Sequence, residues 1–491
     1  MQKTENRKQT EQNARRTSSG ERGVTVILVI GYMVILSIIL GTVSSYGLTQ
    51  SKHGGIIAAR EQALHVAEAG LEYYRWFLAH NPTIMESGVG LVTPITYTVE
   101  DPEGGEIGDA TVTATASLQC GVPQWIDIQS EGTSNANPLF QRKLSARYMK
   151  SSSAEYSYIV NSNVFAGADR TIRGPYHSNG GVRMDATHNS EVTSSATTWN
   201  CTTSYGCNPA QSAAPGVVGN GSNPALWTSG VTTISIFGNE IDFVGLKTKA
   251  QTQGGIYYAP STGSVAERGY HLTFNPAGTV TVKRVTSTDC VDSNSSQYGW
   301  GTECSIITAS TILGTYAIPS ACSLIFAEDR LWIEGTVKGK LTVIAATPSD
   351  SGTSPDIYLK NNILYNAYDG TDGITLVAER SVLIPLQVPE NMEIHGIFIG
   401  KNGHYGRDQF TTSGSHQVPS QYDSYVQVNT LTTVGTVVSN GRTGTSWKCG
   451  GVYCSGFATR NDFYDQQLAF SPPPFTPTAL VDYKFALWRE N

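Results

Sequence analysis

Among the 491 residues of this chain, the eight cysteines carry the most legible chemistry. Cys201 and Cys207, Cys290 and Cys304, and Cys449 and Cys454 form three close pairs, leaving Cys120 and Cys322 as distant partners or free thiols. An even count at loop-rich spacings fits disulfides made in an oxidising space. Zinc is the competing reading. However, five residues separate Cys201 from Cys207, four separate Cys449 from Cys454, and no histidine pair stands near at ligand spacing. Disulfides are the expectation, with no metal and no cofactor.

Other reactive side chains form no constellation. His177 and Ser178 adjoin in GPYHSNGG, which lacks the GxSxG order of a nucleophile elbow, so a hydrogen-bonded turn is expected there. Glu393 and His395 alternate onto one face of a strand, yet two ligands do not make a metal site. Glu328, Glu334, Asp356 and Glu379 supply carboxylates of the kind polysaccharide-cleaving enzymes use, but nothing in the sequence holds two of them across a sugar. No enzymatic activity is expected. The 24 Tyr and 8 Trp are available to contact glycans or proteins, although such rings are mostly core or scattered surface.

These residues hang on an unusual frame. No charge occurs from Val24 to Ser51, and the core VTVILVIGYMVILSIILGTV, Val24 to Val43, is 20 residues long. At about 1.5 Å per residue it spans roughly 30 Å, the hydrocarbon thickness of a bilayer. That is too long for a secretory h-region, and no small-residue cleavage motif closes it. Lys3, Arg7, Lys8, Arg15, Arg16 and Arg22 precede the run and only Lys52 and Arg60 follow closely, so a cytoplasmic N-terminus and an exported body are expected. A net charge of −7 with 15% charged residues excludes a broad basic surface, and no nucleic-acid partner is expected.

The helical period outlasts the apolar run. Leu64, Ala67, Leu71, Tyr74 and Leu78 recur at three- and four-residue steps as a packing stripe, and the first proline of the chain, Pro82, follows His80 and Asn81. One helix from about Val24 to His80 is expected, weakest around Gly47, Gly54 and Gly55, where bending or local melting is invited.

RGVTVILVI together with AREQALHVAEAGLEYY, above all Ala67-Glu68-Ala69-Gly70-Leu71-Glu72, resembles the N-terminal region of PilX-like minor type IV pilins and related pseudopilins. That resemblance implies a leader cut by a prepilin peptidase between Gly23 and Val24. It also implies a helix that holds the subunit in the inner membrane before assembly and packs in a filament core afterwards. Major pilins usually begin with Phe and carry Glu at the fifth mature position. Val24 and Leu28 stand there instead, which suits a minor or initiating subunit.

Beyond Pro82 the period becomes that of strands. Ile95–Val99, Ala110–Ala116, Trp125–Ile128 and Arg142–Tyr148 alternate in character between turn-rich pieces, and four antiparallel strands are expected on the amphipathic face of the helix. After the polar joint Ser151–Ser153, a helix is expected over Ile241–Ala250 and a hairpin over Tyr270–Phe274 and Thr279–Lys283. Between about 325 and 400, LWIEGTVKGKLTVIAAT, DIYLKNNILY, GITLVAERSVLIPL and MEIHGIFIG return as strand-like blocks. Ile374, Leu376, Ala378, Val382 and Ile384 share one parity, as do Met392, Ile394 and Phe398, so one buried face is expected. A short β-solenoid, or right-handed β-helix, accounts for this better than a sandwich. IRGPYHSNGGVRMD and YDQQLAFSPPPFTP also resemble the large C-terminal domains, of no assigned activity, that follow PilX-like N-termini in some bacterial surface proteins.

The fold class expected is therefore α+β and mainly β: a basic leader (1–23), a transmembrane and amphipathic helix (24–80), a small antiparallel sheet head (83–150) and an exported β-rich domain (154–491). By the resemblance, the function is that of a minor or tip subunit of a type IV pilus or related secretion filament. Its partners would be the membrane, other pilin or pseudopilin subunits, the assembly machinery, and a surface glycan or protein ligand. A membrane-anchored adhesin or glycan-binding protein is the alternative, and a polysaccharide-cleaving β-helix enzyme the third.

Overall fold

The computed structural model describes residues 5–238, 241–264, 268–295, 297–348 and 354–491, with side-chain surroundings from Gly23 onward. Helix α1 (Glu5–His80) is continuous, including Gly47, Gly54 and Gly55, so the local melting expected there does not occur. Each glycine costs about 1 kcal/mol relative to Ala, and cooperative propagation from long flanking helical runs offsets it. At the other end Asn81 Nδ2 donates to Phe77 O at 2.8 Å, and Pro82 leads into the short helix α2 (Thr83–Ser87).

The two halves of α1 differ in surroundings. From Val24 to Ala58 every side chain is exposed. From Ala59 onward one face, with Ala63, Val66, Ala67, Leu71, Tyr74 and Leu78, is buried on an antiparallel meander. That meander comprises β1 (Ile95–Glu100), β2 (Glu106–Gln119), β3 (Val122–Ser134) and β4 (Asn137–Ser152). Alternate residues point at the helix: Ala110, Val112 and Ala114 from β2, Ile126 and Ile128 from β3, Leu144, Ala146 and Tyr148 from β4. Small residues let the layers approach closely. A Cβ placed on Gly132 would overlap the Ala63 carbonyl oxygen and the Ala67 amide, and one on Gly70 would overlap Ser130 Oγ.

A fifth strand completes this sheet, and it comes from the far end of the chain. Thr478–Glu490, which the sequence boundaries assign to the large domain, pairs antiparallel with β4, setting Tyr483 against Lys150 and Phe485 against Tyr148. The Tyr148 and Tyr483 rings stack with centroids 5.0 Å apart.

In the large domain the strand-like blocks pair in parallel. Phe326, Ile344, Val377, Ile399 and Val438 are successive partners in one row. A second row runs through Leu272, Ile333 and Leu359. The first row continues at both ends, with Tyr257 beside Phe326, and with Ile159 beside Val438 followed by His177, Thr193 and Thr228. The chain therefore enters this row in its middle at Tyr158–Val160 and runs to one end at Trp227–Ser229. After the helix Phe243–Thr252 it restarts at the other end, at Ile256–Tyr258, and closes on its own entry strand. A buried ion pair marks the closure: Arg170 Nη2 lies 2.6 Å from Asp462 Oδ2, and Tyr158 OH donates to Asp462 Oδ1 at 2.8 Å.

Within Gly373–Ala378 every residue is buried, so the expectation of a single buried parity is corrected there. The outer face is covered by the proline-rich segment near the C-terminus, where Thr375 Oγ1 and Thr476 Oγ1 are 2.6 Å apart, Lys340 Nζ donates to Ser471 Oγ at 2.5 Å, and Leu468 is buried. The hairpin of Tyr270–Asn275 and Thr279–Ser295 extends through a second antiparallel partner, Gly299–Ala317, into a long arm.

Candidate functional site

Helix α1 contains a span long and apolar enough to cross a membrane, and its apolar window, of mean hydropathy 2.7, is 0% buried by the rest of the chain. Val, Ile, Leu, Tyr and Met project on all sides of it; Ile27 is 72% exposed and Ile38 61%. A helix apolar all round needs lipid or other helices as its surroundings. Two of its hydroxyls are satisfied within the helix, since Ser37 Oγ donates to Met33 O at 2.7 Å and Thr42 Oγ1 to Ile39 O at 2.8 Å, which lowers the cost of placing them in hydrocarbon. Gly31 and Gly41 leave open notches on this surface, with nothing within 4 Å of a Cβ built there. Gly23 and Val24 lie within the helix, exposed. Of the basic residues before them, Lys3 and the side chains of Arg7, Lys8, Arg15, Arg16 and Arg22 fall outside the described residues.

The packing stripe lies where α1 meets the sheet. Ala67, Leu71, Tyr74 and Leu78 are buried, and Leu64 is partly buried against the same cluster. Tyr74 OH donates to Val92 O at 2.6 Å, and burial pushes this phenol up to about 12. The stripe missed Ala59, Ala63 and Val66, which continue it toward the apolar half; their signal was small residues at helical spacing.

All eight cysteines are bridged. The close pairs join Cys201 to Cys207, Cys290 to Cys304 and Cys449 to Cys454. Cys120 joins Cys322 across 202 residues of sequence, fastening the β2–β3 turn to the large domain. There Cys120 N donates to Ala321 O at 2.8 Å, and Gln119 Nε2 donates to Ser320 O at 3.0 Å.

His177 and Ser178 do not face each other. His177 Nδ1 lies 2.9 Å from Thr193 Oγ1 and its Nε2 2.9 Å from Asn179 Oδ1, while Ser178 Oγ donates to Ser162 O at 2.7 Å. Burial lowers the His177 pKa. Glu393 Oε1 and His395 Nε2 are 2.7 Å apart, and His395, lowered by burial, packs edge-on against Tyr365 and Tyr368. Among the described residues no cluster of three or more His, Cys, Asp or Glu has metal-binding geometry.

The four candidate carboxylates are each engaged. Glu328 pairs with Lys247 Nζ at 2.7 Å and accepts from Tyr257 OH. Glu334 lies 2.8 Å from His271 Nε2, a hydrogen bond that, with Lys360 nearby, holds it at about 2. Asp356 pairs with Arg380 and accepts from Ser381 N at 3.0 Å, and Glu379 accepts from Thr347 N at 2.8 Å.

No family model and no curated protein matches the chain. Among solved structures, the crystal structure of the competence-associated pilin ComZ from Thermus thermophilus aligns at 13% identity and a TM-score of 0.31, over 88% of this chain and 98% of that one.

Proposed function

We propose that the chain is a structural subunit, of minor or tip type, of a type IV pilus or related secretion filament. The observation that carries this reading is the division of α1: one unbroken helix whose second half packs on a sheet and whose apolar first half is left bare by its own chain. A simple anchor needs only the apolar run. A rigid continuation into a packed head fits a subunit whose helices bundle with those of its neighbours.

In this reading the leader is removed between Gly23 and Val24, the N-terminus is cytoplasmic, and the sheet head carries the β-rich domain outside. The partners are other pilin or pseudopilin subunits and the assembly machinery. The parallel rows through Phe326, Ile344, Val377 and Ile399 support a β-solenoid as the core of that domain.

A reporter active only outside the cytoplasm tests the topology: fused after His80 it should work, and fused before Gly23 it should fail. Filament membership is tested by immunoblotting sheared filaments from piliated cells. Recovery of the full-length or leader-cleaved chain there supports the proposal. Its absence from filaments and from every pilin complex leaves an anchored adhesin as the better description.

A further inference from the structure

Three tyrosines brought together by the fold line one cleft of about 460 Å³ on the large domain. Tyr365 ends the strand Ile357–Tyr365, Tyr368 stands in the turn after it, and Tyr464 follows Val452–Phe463, the strand that pairs with Arg170–Arg173. Tyr368 is 62% exposed yet held, its ring edge-on to His395 at 5.2 Å and tilted against Tyr365 at 6.1 Å. Its turn is tied down as well, because Asp372 accepts from Gly339 N and Ala367 N, each at 2.6 Å, and Gln467 Nε2 donates to Tyr368 O at 3.4 Å. An exposed ring fixed in this way loses little further freedom when a ligand stacks on it.

The polar groups around these rings are only partly used. Tyr365 is 5% exposed, and its hydroxyl has no hydrogen-bond partner among the described residues. Burial, then Asp465, Tyr368 and Asp372, push its phenol up, and all three of those residues line the cleft, so the hydroxyl faces it. Asp465 spends Oδ1 on Gln467 N at 3.0 Å and leaves Oδ2 over. Asn189 spends Oδ1 on Gly174 N at 3.3 Å and Ser190 Oγ at 3.0 Å and leaves its Nδ2 donors over. Gln466 is exposed at the rim. The charge balance is not cationic: Arg173, 5.3 Å from the Phe463 ring, faces Asp372 and Asp465 in the same lining, and Glu393 stands close enough to Tyr368 to add, after burial, to the rise of that phenol.

We propose that this cleft binds an uncharged sugar, at the end or within a short stretch of a neutral glycan. The Tyr368 ring takes the apolar face of the sugar, Asp465 Oδ2 accepts from its hydroxyls, and Asn189 and Gln466 donate to them. The volume lies within the range of roughly 300–1,000 Å³ usual for small-ligand sites. An acidic glycan or a nucleic acid fits less well, since its anions would meet the carboxylates of Asp465 and Glu393. The inference stands on the cleft alone, whether or not the chain enters a filament.

The test is calorimetric titration of the full-length protein, in micelles of a sugar-free zwitterionic detergent, with maltotriose, cellotriose, xylotriose and tri-N-acetylchitotriose, and with trigalacturonate as the acidic comparison. At least one neutral sugar should bind more tightly than trigalacturonate, with an affinity indifferent to added salt. Tyr368→Ala should lose about tenfold, while Tyr368→Phe, which keeps the ring, binds as wild type. Asp465→Asn, which keeps an oxygen to cap the helical turn Gln466–Phe470, should lose about fivefold. Tyr298→Ala, at an exposed tyrosine on the hairpin arm, changes nothing. Should Tyr368→Ala fail to fold, Asp465→Asn decides alone. Binding of none of the four neutral sugars, wild-type affinity in folded Tyr368→Ala, or tighter binding of trigalacturonate than of every neutral sugar would each overturn the proposal.

Discussion

Glu303 shows how far one residue's behaviour is set by surroundings distant in sequence. Its carboxyl is enclosed where the hairpin arm meets the parallel rows, and burial, followed by the neighbouring Asp408, pushes it up to about 8. Ser305 Oγ donates to Oε1, Oε2 has no hydrogen-bond partner among the described residues, and the nearby Arg407 is engaged with the carbonyls of Leu386 and Tyr425. An unfolded glutamate releases its proton near ~4.3, so between there and about 8 the folded chain holds the extra proton. Stability from this group is full below that window and falls as pH rises through it. Glu303→Gln should abolish that slope: near-neutral below the window, and more stable than wild type above it by on the order of a few kcal/mol. Thermal melts on both sides of the window check this, and parallel pH profiles for the two proteins would sink it.

At the scale of elements, the seam between α1 and the sheet depends on close backbone approach. A Cβ at Gly132 would meet the Ala63 carbonyl and the Ala67 amide, backbone atoms that no rotamer change can move. Gly132→Val should therefore cost about 1–3 kcal/mol or more, whereas Gly301→Ala, in open space, should stay within about 0.5 kcal/mol. Denaturant unfolding of the two variants checks the contrast. Gly41 and Gly31 provide the complementary case, because nothing of this chain lies within 4 Å of either notch. Gly41→Leu should leave membrane retention and stability unchanged yet lower recovery in filaments or pilin complexes, since a bulky side chain blocks close helix approach. Blots of membrane and filament fractions measure both, and undiminished filament recovery would exclude close packing at this notch.

Over the whole molecule, head and large domain are joined by the chain itself, by the returning strand Thr478–Glu490, and by Cys120–Cys322. A bridge closing 202 residues restricts the unfolded chain by roughly 5 kcal/mol in the loop-entropy account, of which about 2–5 kcal/mol is the ordinary measured range. Replacing both cysteines with serine should lower stability within that range and speed amide exchange together at Gln119 and at Ala321–Ser323, the two sides of the joint. Hydrogen-exchange mass spectrometry reads both sides, and unchanged protection would show that the returning strand alone fixes the domains.

Features that depend on near neighbours are legible in the sequence. The 20-residue apolar run, the charge step at Gly23, the stripe from Leu64 to Leu78 and the four alternating strands of the head are written in local periods of composition, and burial follows such periods directly. The same-face placement of Glu393 and His395 is local in the same sense. Which distant segments become neighbours emerges with the folded chain: Val438 beside Ile159, Thr478–Glu490 beside β4, Cys120 with Cys322, and the proline-rich segment over Gly373–Ala378. Strand edges and thiols carry no label for their partner, and a parallel row accepts any strand of suitable face. The order is set by the path of the entire chain, which no window of sequence contains.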